Sequence, residues 1–259
     1  MFFLGIDVGS TASKCVIIDD NKSIISSSII PSGTGTSGPG RALEKALQAA
    51  GIKREDLASI SATGYGRNSF DGADYTVSEL SAHAAGIHEK YPDAKTVIDI
   101  GGQDAKALSI GANGKLQNFI MNDKCAAGTG RFLEVMAKVL ELDVSELEKQ
   151  DSIARSAAGI SSTCTVFAES EVISKLANGT DIPSLVKGIH QSVAVRTASL
   201  VKRLGIQAPV YMSGGVAKNG GVVKALEKEL GVSINVSEIE QLNGAFGAAL
   251  YGLEKTKKG

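Results

Sequence analysis

The sequence predicts an α/β fold of two similar lobes, each with a mixed β-sheet, and a cleft between the lobes. A nine-residue motif at 6–14 returns at 98–106, with Ile, Asp, Gly and Lys matching at one offset of 92 positions (98 − 6). Each copy opens a run of three predicted strands followed by alternating helices and strands. Glycine-rich turns follow several of these strands. A duplicated order of elements predicts a duplicated lobe.

The first half of the chain supports this order element by element. β-branched runs bounded by Gly, Asn and Asp predict strands, and apolar residues at helical spacing before Gly51 predict a helix. The predicted elements are strands at 2–8, 13–19 and 23–31, a helix at 40–51, a strand at 57–62 and a helix at 78–91.

The second half repeats the order and adds helical sequence between residues 143 and 204. We expect the first lobe to comprise residues 1–94 plus 244–259, and the second to comprise 95–243. The predicted elements are strands at 96–100, 105–110 and 116–121, helices at 129–142, 165–177 and 184–204, a strand at 209–213, a helix at 219–230, a strand at 233–236 and a final helix at 244–257.

The final helix begins with the small residues of 244–249. Small side chains let two backbones approach closely, so we expect this helix to return to the first lobe.

Composition excludes some classes of partner. The chain has 259 residues, 43% of them hydrophobic, and a formal net charge of −1. This balance offers no basic surface for nucleic acid. No apolar run approaches the ~20 residues that span a bilayer. The start of the sequence reads as a strand rather than a signal peptide, so we expect no membrane partner and a cytoplasmic location.

The repeated motif has the chemistry of a phosphate site. Asp7 and Asp99 each end a strand and precede a glycine turn, whose successive amides can form a nest for an anion. Two such turns facing each other could hold a polyphosphate, and the two carboxylates suit Mg²⁺. The candidate nucleotide ligands in these turns are Gly9, Ser10, Thr11, Ala12, Gly101, Gly102 and Gln103.

A third glycine turn follows the strand at 209–213 and precedes a helix. Alone it is an ordinary connection between a strand and a helix. Together with the two other glycine turns it predicts contacts to the nucleoside through Gly214, Gly215 and Asn219. The P-loop motif and the dinucleotide fingerprint are both missing from the sequence.

The three turns resemble the phosphate-1, phosphate-2 and adenosine motifs of the superfamily of acetate and sugar kinases, heat-shock 70 chaperones and actin. The resemblance implies two ribonuclease-H-like lobes of the actin and sugar-kinase type that close on Mg-ATP in the cleft.

Two cysteines do not belong to such a nucleotide site. Cys125 and Cys164 each follow small residues and precede an apolar helical pattern, and a helix N-terminus favours thiolate. They could be ordinary buried cysteines, a disulfide, or ligands of zinc or a [4Fe-4S] cluster. A cluster needs four ligands, so two per chain would require a two-fold dimer. Cys15 lies in an apolar strand and is expected in the core.

The segments around these cysteines, 122–132 and 160–171, resemble the signature of the activators of 2-hydroxyacyl-CoA dehydratases. The resemblance extends over essentially the whole chain and includes 33–36 and 62–68.

The resemblance implies a homodimer with one [4Fe-4S] cluster, held by Cys125 and Cys164 of both subunits. It implies an ATP hydrolase coupled to electron transfer: ferredoxin or flavodoxin supplies an electron, ATP hydrolysis changes the angle between the cluster-bearing helices, and the electron passes to the dehydratase.

Catalytic roles within this scheme are hypotheses. Gln103 is expected to sense the γ-phosphate or position the attacking water, although it could simply cap its turn. Asp7 and Asp99 are expected to hold Mg²⁺ directly or through water. Lys14 and Lys106 could bind phosphate, with a solvated or structural role as the alternative. His83, His88 and His190 lie on predicted helices and are expected to be satisfied or surface histidines, with metal or acid–base roles as the alternative.

Other functions fit the same sequence. One is a sugar or acid kinase with incidental cysteines. Another is a non-catalytic ATP-dependent switch of the actin or chaperone type. A third is the ATPase subunit of another low-potential acyl-CoA reductase, such as a benzoyl-CoA reductase.

Overall fold

A computed structural model describes residues 1–161 and 164–258. Ser162 and Thr163 of the second cysteine segment lie outside the described residues. The strands are β1 (Phe2–Val8), β2 (Ser13–Ile18), β3 (Ile24–Ile30), β4 (Leu57–Thr63), β5 (Tyr75–Thr76), β6 (Thr96–Ile100), β7 (Ala105–Ile110), β8 (Leu116–Asn122), β9 (Val210–Ser213) and β10 (Ile234–Val236). The helices are α1 (Gly38–Ala50), α2 (Glu79–Lys90), α3 (Gly130–Val139), α4 (Leu147–Ile153), α5 (Thr165–Ala177), α6 (Ile182–Leu204), α7 (Gly220–Leu230) and α8 (Asn243–Lys258).

The strands form two five-stranded sheets with matching topology. The first has the order β3-β2-β1-β4-β5 and the second the order β10-β9-β6-β7-β8. In each sheet the central strand pairs antiparallel with the strand that follows it and parallel with a later strand. The register is duplicated too, because Asp7 lies opposite Lys14 and Asp99 lies opposite Lys106. The predicted internal repeat is therefore confirmed at the level of strand pairing.

Every strand and helix predicted from the sequence is present, with small shifts at the ends. Two elements were not predicted individually. β5 has only two residues, too few to show a pattern. α4 lies within the segment expected to be mostly helical, but its seven residues gave no separate signal.

The chain divides into two compact units. Unit 1 comprises Met1–Lys95, Ile110–Gln117 and Ser237–Gly259, and unit 2 comprises Thr96–Ser109 and Asn118–Val236.

These units differ from the predicted division at 110–117 and 237–243. Both segments are held by unit 1: Ile110 N–H donates to Lys95 O (2.9 Å), and Glu238 N–H donates to the Tyr91 hydroxyl (2.9 Å). The domain boundaries at 94/95 and 243/244 stay a prediction.

Unit 1 has a hydrophobic core on each face of its sheet, as alternating strand residues require. Leu4 and Ile6 pack with Cys15 in a cluster that includes residues of α1. Phe3 packs on the other face in a cluster with α8 residues such as Phe246. The last helix lies in unit 1 and packs on its sheet. The core position predicted for Cys15 is confirmed.

Unit 2 has one large core between its sheet and the helices α3, α5, α6 and α7. Phe132 and Leu133 bring α3 into this core, and Val172 brings in α5. The helices that follow the two cysteines are thus anchored in the same body as the second glycine turn. Among the described residues, no helix combines the length and apolar character that crossing a bilayer demands.

Candidate functional site

The first glycine turn connects β1 to β2 in unit 1. Asp7, the penultimate residue of β1, is buried, and Lys14 Nζ lies 3.0 Å from its Oδ2. The turn is closed by Gly9 N–H, which donates to Ala12 O (3.1 Å). Ser10 and Thr11, between them, are half-buried. A tight turn with amides near the surface is what an anion nest requires.

The second glycine turn has the same construction in unit 2. Lys106 Nζ lies 3.1 Å from Asp99 Oδ2, and Gly101 N–H donates to Asp104 O (2.9 Å). Each of these residues stands 92 positions after its counterpart in the first turn (99 − 7). Gln103 is exposed at the tip of this turn.

The two lysines neutralise the two aspartates. Lys106 is almost fully buried and also contacts Asp104 Oδ2 (2.9 Å), which excludes the solvated role considered for it. Oδ2 of both aspartates already faces an ammonium group. Asp99 Oδ1 also accepts a hydrogen bond from Ser213 (2.8 Å), so Asp99 has limited room for a direct metal bond. The donors fit a hydrated Mg²⁺ held through water, the usual mode for this ion.

The third turn packs against the end of β6. Gly214 has φ +87°, and a methyl group there would overlap the backbone of Ile100. Only glycine combines this left-handed conformation with such a close approach. Gly215, half of the predicted nucleoside contact, opens the short 3₁₀ helix that follows.

Both polar atoms of the Asn219 side chain make contacts within the fold. Its Oδ1 accepts hydrogen bonds from Gly221 and Val222 N–H and caps α7. Its Nδ2 lies 3.1 Å from His190 Nε2, and His190 Nδ1 lies 2.5 Å from Asp151 Oδ2. His190 is fully buried within this chain, so the expectation of a satisfied histidine is confirmed for it. A nucleoside contact by Asn219 stays a prediction.

The structure places His83, expected from the sequence to be a satisfied or surface histidine, near Asp7, and it pairs His83 with Glu79, which the sequence reasoning missed. Glu79 and His83 lie one helical turn apart on α2 and offer ligand atoms within 4.8 Å of each other. A methyl group on Gly244 would lie 2.9 Å from His83 Nε2 and 3.5 Å from Asp7 Oδ2. The His83 and Asp7 side chains therefore both lie next to Gly244. The i,i+4 spacing of Glu79 and His83 was the available signal, but only the folded chain brings it to Asp7.

The two candidate cluster ligands are exposed free thiols. Cys164 is the N-cap residue of α5, as its sequence predicted. Cys125 lies in the loop between β8 and α3, where Asn122 Nδ2 donates to its carbonyl oxygen (3.0 Å). The interpretation of both as ordinary buried cysteines is wrong, and neither forms a disulfide.

Cys15 differs from this pair. It is fully buried, and burial raises the pKa of its thiol far above the ordinary value. Thiolates bind iron and zinc, and an accessible sulfur is needed for ligand exchange. The two exposed thiols therefore fit a shared iron–sulfur or zinc group, and Cys15 does not.

The second glycine turn is bonded directly to the helix that follows Cys125. Gly130 and Arg131, the first two residues of α3, donate their N–H groups to the carbonyl oxygens of Gly101 (2.9 Å) and Gly102 (2.8 Å). Helix N-termini leave such donors unsatisfied within the helix, and here the candidate phosphate turn accepts them. The turn and the start of α3 are thus joined by two backbone hydrogen bonds.

Curated proteins resemble this chain over its full length. The chain is 54% identical over 258 residues to the 2-hydroxyisocaproyl-CoA dehydratase activator of Clostridioides difficile, covering 100% of this chain and 97% of the relative. It is 55% identical over 259 residues to the (R)-2-hydroxyglutaryl-CoA dehydratase activating ATPase of Acidaminococcus fermentans, covering 100% and 99%.

A solved structure extends the likeness to the fold. The activator of the 2-hydroxyisocaproyl-CoA dehydratase from Clostridium difficile with bound ADPNP superposes with a TM-score of 0.97 at 54% identity, covering 100% of this chain and 96% of that one. The predicted fold class, ribonuclease-H-like lobes of the actin and sugar-kinase type, is confirmed. The family model for BadF/BadG/BcrA/BcrD ATPases matches residues 4–252, and the chain belongs to the BadF/BadG/BcrA/BcrD ATPase family.

Proposed function

We propose that this protein is an ATP-dependent one-electron transfer protein that activates a 2-hydroxyacyl-CoA dehydratase. Two full-length relatives carry activator names for such dehydratases. The observation that carries the proposal is the pair of hydrogen bonds joining the glycine turn at Gly101 and Gly102 to α3, the helix that follows the exposed Cys125. This link gives nucleotide chemistry a route to a thiolate-bound group.

The glycine turns supply the proposed ATP site. The amides of 9–12 and 101–103 bind phosphates, and the turn at Gly214 and Gly215 meets the nucleoside. Asp7 and Asp99 orient the water shell of Mg²⁺ while Lys14 and Lys106 hold their carboxylates in place. A relative that binds the ATP analogue ADPNP supports nucleotide binding at this fold.

Gln103 is proposed to position the attacking water or sense the γ-phosphate. Its exposure at the tip of the second turn leaves the amide available to a ligand. Gln103→Ala should lower kcat for ATP hydrolysis on the order of 10²-fold, the usual contribution of such a group. Gln48→Ala, an exposed position on α1, is the matched control. Unchanged hydrolysis in the Gln103 variant would remove this assignment.

Cys125 and Cys164 are proposed to hold one [4Fe-4S] cluster together with the same residues of a second subunit. When bound, the cluster would supply one-electron redox chemistry at low potential. Exposed apolar side chains on α5, next to Cys164, support a surface covered by a second copy: Val166, Phe167 and Ile173 are each half exposed or more.

The proposed partners follow from this activity. Ferredoxin or flavodoxin would reduce the homodimer, and the dehydratase would receive the electron. ATP binding and hydrolysis at the second turn would move α3 through the Gly101 and Gly102 carbonyls and so alter the position of Cys125. We propose a cytoplasmic location for this exchange.

Anaerobic purification with iron, sulfide and molecular mass measured together tests the proposal. We expect a dimer with about four iron and four sulfide. Cys125→Ser and Cys164→Ser should lose the iron, whereas Cys15→Ala should retain it because Cys15 is buried in the unit 1 core. An iron-free monomer, or full iron content in the Cys125 variant, would refute the proposed function.

A further inference from the structure

A cationic side chain lies close to the loop that carries Cys125. Arg196 lies in the middle of the long helix α6 and is half-buried. Its guanidinium carbon is 5.9 Å from the centre of the Phe132 ring, in the first turn of α3. A methyl group on Gly128 would lie 3.3 Å from Arg196 Cβ and 3.4 Å from its Cδ. The side chain therefore follows the loop that runs from Cys125 into α3.

Both cysteines act on this guanidinium. Burial lowers the pKa of Arg196, and the negative potential of Cys125 and then of Cys164 opposes that lowering. The positive charge of Arg196 therefore interacts with both cysteines, and its contacts with Gly128 and Phe132 hold it next to the loop of Cys125. The other two cations of the motif at 122–132 are not held in this way: Lys124 is exposed, and the exposed Arg131 pairs with Glu134.

We propose that Arg196 is a positioning residue that fixes one positive charge beside Cys125 and Cys164 and makes an iron–sulfur group bound there easier to reduce. The proposal rests on the proposed function, since it concerns the same two thiols.

The physical reason is the charge change on reduction. One electron adds one negative charge to a group that four thiolates already make anionic, and net charge and hydrogen bonds near the sulfurs set the potential of such groups. Arginine stays protonated in proteins, and its planar group is held over the Phe132 ring. A half-buried charge is screened less by salt than an exposed one. A two-fold dimer would place two such charges at the group.

The test is a redox titration of the anaerobically purified dimer, followed by absorbance and electron paramagnetic resonance. At the wild-type midpoint potential, the ratio of reduced to oxidised protein should fall roughly threefold or more in Arg196→Gln. Arg196→Lys should restore most of the wild-type ratio, because a charge effect needs only a cation. Arg203→Gln, an exposed arginine two turns further along α6, is the matched control and should titrate like wild type.

Iron content and circular dichroism separate the outcomes. Arg196→Met, which keeps an apolar stem over Phe132, replaces the Gln variant if the latter does not fold, and the same fall is expected. A wild-type ratio in the folded Gln or Met variant, with wild-type iron content, would overturn this inference and leave the proposed function standing. Equal falls in the Lys and Gln variants would also overturn it, because they would show a packing effect. An iron-free wild-type protein would refute both.

Discussion

Lys106 Nζ lies 3.1 Å from Asp99 Oδ2, and both side chains are at most 3% exposed. The equivalent pair in unit 1, Lys14 and Asp7, has the same geometry at 3.0 Å but a more accessible lysine. A buried ion pair is costly to break because the remaining charge has lost both its partner and its water. The duplicated pair therefore holds the carboxylate at the end of each central strand.

Lys106→Met should lower the free energy of unfolding by about 3 kcal/mol or more, because it leaves Asp99 buried without its ammonium partner. Urea denaturation followed by circular dichroism measures this loss. Lys14→Met is the matched variant and should cost less, since water reaches Lys14. Equal losses in the two variants would contradict the assignment of burial as the cause.

The hydrogen bonds between α3 and the second glycine turn give a test of the proposed coupling. Gly130→Pro removes the N–H that donates to Gly101 O, at a first helical position where proline is tolerated. Thr129 before it is already extended (φ −122°, ψ 175°), as a residue before proline prefers. We expect ATP hydrolysis to persist and ATP-dependent electron delivery to a dehydratase to fall, measured by reduction of the partner per ATP hydrolysed.

Gly130→Ala is the control for this variant. It adds a methyl group in the same place, 3.1 Å from Gly101 O, but keeps the N–H donor. If both variants lose coupling equally, crowding rather than the hydrogen bond is responsible, and the proposed route through Gly101 is wrong.

The sequence could predict what is local. The repeat, the three glycine turns and the small-residue start of α8 follow from neighbouring residues, because turns and periodic faces are short-range properties. β5 was not predicted, because two residues are too few to show an alternating pattern. The core location of Cys15 followed from its apolar strand. The exposure of Cys125 and Cys164 could not be predicted, because the small residues around them occur in buried and in exposed loops alike.

The parts that the sequence did not predict join distant segments. Asp7 and His83 meet at Gly244 from three separate elements, and Arg196 reaches the Cys125 loop from a helix far along the chain. No spacing rule connects such residues. Their proximity depends on how α2, α6 and α8 pack, which only the three-dimensional arrangement defines.

Asp151 should make stability depend on acid pH. The hydrogen bond with His190 is the main reason that the pKa of Asp151 lies below its ordinary value. A carboxyl group with a lowered folded pKa stabilises the fold above its unfolded pKa, and this contribution is lost as pH falls through the folded value. We expect the wild type to lose stability more steeply than Asp151→Asn on going from about pH 5 to about pH 3.

Thermal unfolding at several pH values measures this difference. Asp71→Asn, at an exposed loop position, is the matched control and should follow the wild-type profile. Parallel profiles for wild type and Asp151→Asn would show that the contact with His190 contributes nothing to acid stability.

The close packing of α8 in unit 1 should not tolerate a methyl group at Gly247. A Cβ there would overlap the carbonyl oxygen of Ala82 on α2. Because backbone must move to relieve the overlap, Gly247→Ala should cost about 1–3 kcal/mol of unfolding free energy, measured in urea. Gly40→Ala in α1 meets no atom within 4 Å and should be neutral or stabilise by about 0.5–1 kcal/mol. A stabilising effect at Gly247 would contradict the close approach of these helices.

Thiol labelling should distinguish the three cysteines. In iron-free protein under native conditions, iodoacetamide should modify Cys125 and Cys164, which are exposed, and leave Cys15 unmodified. Burial raises the pKa of the Cys15 thiol, so it lacks both access and thiolate character. Intact-mass measurement should show two added groups in the native protein and three after denaturation, one for each cysteine of the sequence. Native labelling of Cys15 would show that it lies outside the core. If Cys125 or Cys164 is not labelled, that thiol is not accessible enough to bind a shared metal group.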